Sequence, residues 1–305
     1  MCRLFAMHAG RTPANASFWL LQAPNSLSLQ SHNEPDGTGI GTFDRDGSPS
    51  VSKQPISAWR DRDFAFEAKH LQSTTFLAHV RFASSGGHAI ENTHPFTQDG
   101  RLLAHNGVLG GLEALEYRLA ELGVLELVLG QTDSERMFAL ITAEIRGAAG
   151  DVAAGLAKAL TWIAENIPVY SLNLVLTTAT DLWAVRYPAT HQLHVLERRG
   201  RRVCTENALE AHSDRIRAHS TDLATRGVVI VATERMNSDP GWRLMEPGEV
   251  LHVDASLAIS STFPLPQTPA KQMQLTELDP IAAASQHPER YRVQSKHGQP
   301  KPEGS

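Results

Sequence analysis

The chain has 305 residues, 41% hydrophobic and 20% charged, a balance that supports a buried core and argues against an unfolded chain. A net charge of -5 supplies no positive field for nucleic acid or an anionic membrane, so no nucleic-acid or membrane partner is expected and a small-molecule substrate is. No run approaches the roughly 20 apolar residues of a membrane helix, and the first ten residues are too short and mixed for a secretory signal, which predicts a cytoplasmic protein.

In chain order, the first predicted element is a strand over 2–8, and it carries Cys2 directly behind Met1. Removal of Met1 would leave a free α-amine on the residue that bears the thiol, and an amine titrating at about 7.7–8.0 can serve as the base for that thiol. Cys2 could equally be a small apolar filler of a first strand. A helix is predicted over 14–30, then a strand over 39–43. The stretch "HNEPDGTGIGTFD" that enters it lacks the G-x-G-x-x-G spacing and is followed by a strand, so a dinucleotide loop is excluded.

The strand predicted over 75–82, "TFLAHVRF", places Arg81 near a buried strand end. A guanidinium there needs an anion, either an internal carboxylate or the carboxylate of a substrate held bidentately. The strand over 101–109 contains "AHNG", where Asn106-Gly107 reads as a hairpin turn or as a pair of N–H donors aimed at an oxyanion. A helix over 112–122 precedes a long helical region over 133–166, broken near "GAAGD". Thr132 and Glu135 fit a capping box at its start, and Asp133 is either a carboxylate favoured by the helix dipole or the ligand of a substrate ammonium. Arg81 and Asp133 would then hold the two ends of an α-amino acid.

Strands follow over 172–178, 182–187, 192–197, 228–233 and 249–254. Strands and helices come in blocks, which predicts antiparallel sheets with segregated helices, an α+β class. Cys204, in "RRVCTEN", reads as a bystander thiol; two cysteines are too few for a disulfide scaffold and form no C-x-x-C zinc pair. His79, His94 and His105 lie on or beside predicted strands, but their spacing matches no compact ligand motif, so no metal is expected. Residues 263–305 are rich in proline and poor in large apolar side chains, and are predicted to be a largely irregular tail.

Cys2, "PDGTGIG", "VRFASSG", "ENTHPF", "AHNG" and "TDSE", in that order, resemble the class II glutamine amidotransferase domain, an N-terminal-nucleophile (Ntn) hydrolase, in its stand-alone type without a fused synthase. The resemblance covers about residues 2–255, gives a domain over 2–262, and implies a four-layer α/β/β/α Ntn-hydrolase sandwich of two mostly antiparallel sheets. It implies Cys2 as nucleophile, Asn106 and Gly107 as oxyanion hole, Arg81 and Ser84 at the substrate carboxylate and Asp133 at its amino group. His94 matches a histidine beside the pocket, with a positional role. Phe82 and Thr38 depart from the family, which often has tryptophan and an aromatic residue there; both bear on the pocket wall.

The implied reaction is hydrolysis of the γ-amide of glutamine to glutamate and ammonia through a Cys2 thioester, with no cofactor. The ammonia goes to a separate synthase, or the enzyme hydrolyses a larger γ-glutamyl amide. A non-catalytic glutamine-binding module is the remaining alternative.

Overall fold

The structure, a computed structural model, describes residues 2–33, 36–82, 87–198 and 226–286, with the backbone of 209–212 and 217–220. Cys204 and Ser84 lie outside the described residues.

Two antiparallel sheets face each other. The first contains β1 (Arg3–His8), β2 (Gly37–Phe43), β3 (Pro49–Gln54), β4 (Thr75–Arg81), β9 (His194–Arg198), β12 (Val228–Ala232) and β13 (Trp242–Leu244), in the order β13-β9-β12-β1-β4-β2-β3. The second contains β5 (Phe96–Gln98), β6 (Arg101–Leu109), β7 (Val169–Thr177), β8 (Leu182–Val185), β14 (Val250–Val253) and β15 (Ile259–Thr262), in the order β15-β14-β8-β7-β6-β5. A separate ribbon pairs β10 (Leu209–His212) with β11 (Arg217–Ser220).

The two-residue period of the strands makes the layers. On β1, Phe5 and Met7 join Phe18, Trp19 and Leu27, while Leu4 and Ala6 meet Leu102, Ala104 and Val175 of the opposite sheet. On the second sheet, Leu103, Leu172 and Leu174 turn outward onto α4 (Asp133–Gly147) and α5 (Val152–Asn166), meeting Met137, Leu140 and Leu160. The central strands of both sheets are therefore buried on both faces, and the sandwich has the expected helix, sheet, sheet, helix order. Each such side chain contributes about 1.5–3 kcal/mol by leaving water.

The helix predicted over 14–30 is two short pieces, a π-helical turn at Phe18–Gln22 and α1 (Leu27–Gln30). Pro24 divides them, since it holds Ala23 extended (ψ 150°) and has no N–H to continue the ladder. The sequence pattern predicts no helix between residues 43 and 75, and the structure has one there. In α2 (Arg62–His70), Asp61 caps the N-terminus by accepting from the Asp63 and Phe64 amides, and the buried Phe64 and Ala68 lie one turn apart in an otherwise charged run.

The turn reading of Asn106-Gly107 is overturned, because both residues lie inside β6, paired with Asn173 and Leu172 of β7. The helix α3 (Leu112–Glu121) and the break at residues 148–151 between α4 and α5 follow the sequence pattern. Beyond Thr262 the chain runs across the outer surface, where the Val169 amide donates to the Lys271 carbonyl and the Met273 amide to the Val169 carbonyl (both 2.9 Å). It then forms α6 (Pro280–Gln286), where Asp279 accepts from the Ile281 and Ala282 amides and proline occupies the first helical position. Among the described residues no helix is long and apolar enough to cross a membrane.

Candidate functional site

Strand parity assembles the candidate site. Cys2 precedes β1 in phase with Leu4 and Ala6; Arg81 ends β4 in phase with Leu77 and His79; Asn106 lies on β6 in phase with Leu102 and Ala104. All three phases point between the sheets. Because β1 and β4 are antiparallel, with Arg3 opposite Val80, the start of one lies beside the end of the other.

Cys2 is half-buried, and its Sγ sits against the backbone of Phe82, 3.2 Å from the amide that donates to it and 3.3 Å from the carbonyl. The Phe82 contact is made by main chain, so the departure from tryptophan leaves it intact. Asn106 Nδ2 donates to the Cys2 carbonyl at 2.8 Å. That engages one of its two amide hydrogens and leaves the other for a ligand. The Asn106 carbonyl accepts from Ser171 Oγ at 3.2 Å, which holds the bearing strand against β7. Gly107 can only be glycine: a Cβ there would collide with the Ser171 carbonyl and the His105 ring.

Arg81 is 3% exposed and donates to the Gly87 carbonyl at 3.3 Å. Burial lowers its affinity for a proton, while the charges of Cys2, Asp36 and Asp133 oppose that shift, so all three act on one guanidinium. Asp133 opens α4 under Thr132, whose hydroxyl accepts from the Glu135 amide at 3.2 Å. One Asp133 oxygen accepts from the Leu109 amide at 2.9 Å, and the other from the Ser134 amide at 2.8 Å and hydroxyl at 3.2 Å. A carboxylate has lone pairs beyond these three bonds, so it can still receive an ammonium.

His94 packs its ring against His79, with centroids 4.3 Å apart, and against Phe96 at 4.5 Å. It is buried, its ring nitrogens have no hydrogen-bond partner among the described residues, and its titration is held well below the usual histidine range by burial and then by the neighbouring cationic groups. His79 is fully buried and pushed down to about 3, chiefly by burial and then by Arg81. His105 faces the other way, onto α4, with Nδ1 2.9 Å from Ser134 Oγ. Among the described residues no group of three or more His, Cys, Asp or Glu is disposed to hold a metal ion.

Two contacts escape a reading of the sequence. Ser134 links His105 to Asp133, and the "TDSE" motif contained that serine without revealing its neighbour. Arg3 ties down the N-terminal end through Glu234, 2.6 Å away and 231 positions along the chain, a pairing no local pattern could disclose.

A solved glutamine aminotransferase class-II domain protein from Silicibacter pomeroyi has the same fold, with a TM-score of 0.57, 23% identity, and coverage of 87% of this chain and 100% of that one. The architecture is thus that of the Ntn-hydrolase sandwich. The model of the class II glutamine amidotransferases matches residues 1–277, and the chain belongs to that family. A Methanocaldococcus jannaschii protein is 28% identical over 250 residues, which are 74% of this chain and 63% of the relative, so the chain spans less than two thirds of that protein. The γ-glutamyl-hercynylcysteine sulfoxide hydrolase of Mycolicibacterium smegmatis is 28% identical over 252 residues, 79% of this chain and 91% of the relative.

Proposed function

We propose that the protein hydrolyses the γ-amide of glutamine, using Cys2 as nucleophile once Met1 has been removed. The single observation that supports this most strongly is the meeting of Cys2, Arg81 and Asn106 on facing sheet surfaces with Asp133 in electrostatic reach. Arg81, with Ser84, takes the α-carboxylate and Asp133 takes the α-ammonium, which presents the γ-carbonyl to the thiol; His94 braces the pocket from behind.

In this reading the Cys2 α-amine accepts the thiol proton as sulfur bonds to the carbonyl carbon of the γ-amide. Asn106 Nδ2 and the Gly107 amide hold the oxyanion. The C–N bond breaks, the proton goes to nitrogen, and ammonia leaves. Water then adds to the thioester, freeing glutamate and restoring the thiol. The ammonia passes to a separate synthase or to solvent.

A second reading, hydrolysis of a larger γ-glutamyl amide, is favoured by the 28% identity to the γ-glutamyl-hercynylcysteine sulfoxide hydrolase over 91% of that relative. Reaction with a glutamine-like diazo-ketone followed by intact-mass measurement tests the shared chemistry: the expected product lacks Met1 and carries one adduct on Cys2. Absence of the adduct would leave only the binding-module alternative. Turnover of glutamine against bulkier γ-glutamyl amides then separates the two substrate classes.

A further inference from the structure

We infer that Asn92 is a positioning residue that spans the two halves of the amino-acid clamp, fixing the separation of Arg81 from Asp133 and so selecting ligands with an α-amino-acid head. The inference rests on the roles proposed above for Arg81 and Asp133.

Asn92 lies in "ENTHPF", on a single 3-10 turn at Ile90–Asn92, and is 3% exposed. Both ends of its side-chain amide are used. Nδ2 donates to the Gly87 carbonyl at 3.2 Å, and Oδ1 accepts from the Gln131 amide at 2.8 Å. Neither partner is arbitrary. The Gly87 carbonyl is the same oxygen that receives Arg81 Nη1 at 3.3 Å, so Asn92 and Arg81 share an acceptor.

Gln131 stands two residues before Asp133, in the turn that starts α4. That turn is pinned on its far side by Glu135, which accepts from the Gly130 amide at 2.5 Å. Gly130 leaves room for the arrangement, since a Cβ there would lie 2.6 Å from Asn92 Oδ1 and 3.0 Å from the Glu91 carbonyl. The path from guanidinium to carboxylate therefore runs Arg81, Gly87 carbonyl, Asn92, Gln131, Asp133, and one short side chain is the only link in it that bridges two segments distant in sequence.

A buried side-chain amide with both ends satisfied resists displacement of its partners, because moving either leaves one end of the amide unpaired. A two-point ligand needs both of its receptors at the right spacing, whereas a one-point ligand does not. Loss of Asn92 should thus weaken ligands with both an α-carboxylate and an α-ammonium and spare those with only one.

The test is calorimetric binding of L-glutamate, which carries both groups, and glutarate, which lacks the ammonium, to the full chain and its Asn92→Ala and Asn92→Asp variants. With Asn92→Ala, removal of two part-buried hydrogen bonds should raise Kd for L-glutamate about 10- to 100-fold and Kd for glutarate less than about 3-fold. Asn92→Asp keeps the acceptor for Gln131 but loses the donor to Gly87, so it should fall between Asn92→Ala and the parent. Equal weakening of both ligands, or no weakening, overturns the assignment of Asn92. Failure of the unaltered protein to bind L-glutamate more tightly than glutarate instead overturns the roles of Arg81 and Asp133, and the inference with them. Should Asn92→Ala fail to fold, the glutamate-to-glutarate ratio of Asn92→Asp decides alone.

Discussion

The space between the two sheets has two unlike ends built from the same strands. Toward one end, Leu77 of β4, Leu102 and Ala104 of β6, Val175 of β7 and Leu251 of β14 fill it with hydrocarbon. Toward the other, the same inward phase delivers His79, Arg81, Asn106 and Asn173, all buried and polar. Asn173 is satisfied, donating to the Gln192 carbonyl at 3.1 Å and accepting from the Tyr187 amide at 3.1 Å. His79 has no hydrogen-bond partner for either ring nitrogen among the described residues. Burying polar groups costs stability that hydrocarbon at the same positions would supply. The difference teaches where each property resides: the apolar end holds the sheets together, and the polar end carries the candidate site.

Substitutions at the two ends should therefore separate activity from stability. The largest effect is expected for Cys2→Ala, which should reduce amide hydrolysis by more than about 1000-fold while leaving the denaturant midpoint within experimental spread. A loss of less than about 10-fold would remove Cys2 from the reaction. Asn106→Ala should lower kcat by about 100- to 1000-fold, as loss of one oxyanion donor does, with a smaller change in KM. A KM effect alone would mean that Asn106 binds the ground state.

At the apolar end the pattern should invert. Leu102→Ala is expected to cost about 2–5 kcal/mol in urea unfolding because the cavity it leaves cannot fully collapse, while kcat per folded molecule stays near the parent value. A large kinetic loss there would show that the two ends are not separable.

The last expected effect is a pH slope. Folded His79 stays neutral down to about pH 3, while the unfolded chain takes up that proton near 6.5. The unfolded state binds the extra proton in this window, so stability falls as pH drops from 6.5 toward 3, by about 1.4 kcal/mol per pH unit for each excluded proton. His94, also held neutral by burial, acts in the same direction. Replacing His79 by glutamine should flatten the slope between pH 6 and pH 4, measured as urea midpoints. An unchanged slope would assign acid sensitivity elsewhere.

The sequence made the central strands legible because they alternate in hydrophobicity or run apolar without interruption: β1, β4, β6 and β12 lie within a residue or two of the pattern. It was less informative at the margins. The edge strand β3 begins at Pro49 and is largely polar, and β5 and β13 are three residues long, too short to show a period. The 14–30 stretch misled because its apolar residues are dense enough for a helix while Pro24 breaks it. At the candidate site, Cys2, Arg81, Asn106, Gly107 and Asp133 stood out as residue types tied to motifs, and the structure brings them to one end of the sandwich. Asn92, Ser134 and Glu234 did not, since what each contributes is a contact across the fold and not a chemistry of its own.

The segment beyond Thr262 bears on how this chain can be shortened. Its backbone pairs with Val169, its Met273 and Leu278 pack with Val108 and Tyr170, and Gln286 Oε1 lies 2.8 Å from His191 Nε2. Val108 directly follows the Asn106-Gly107 pair, at the point where the β6–β7 register slips. A protease or an engineer that removed residues 263–286 would strip the cover from the strand end next to Asn106 and Gly107.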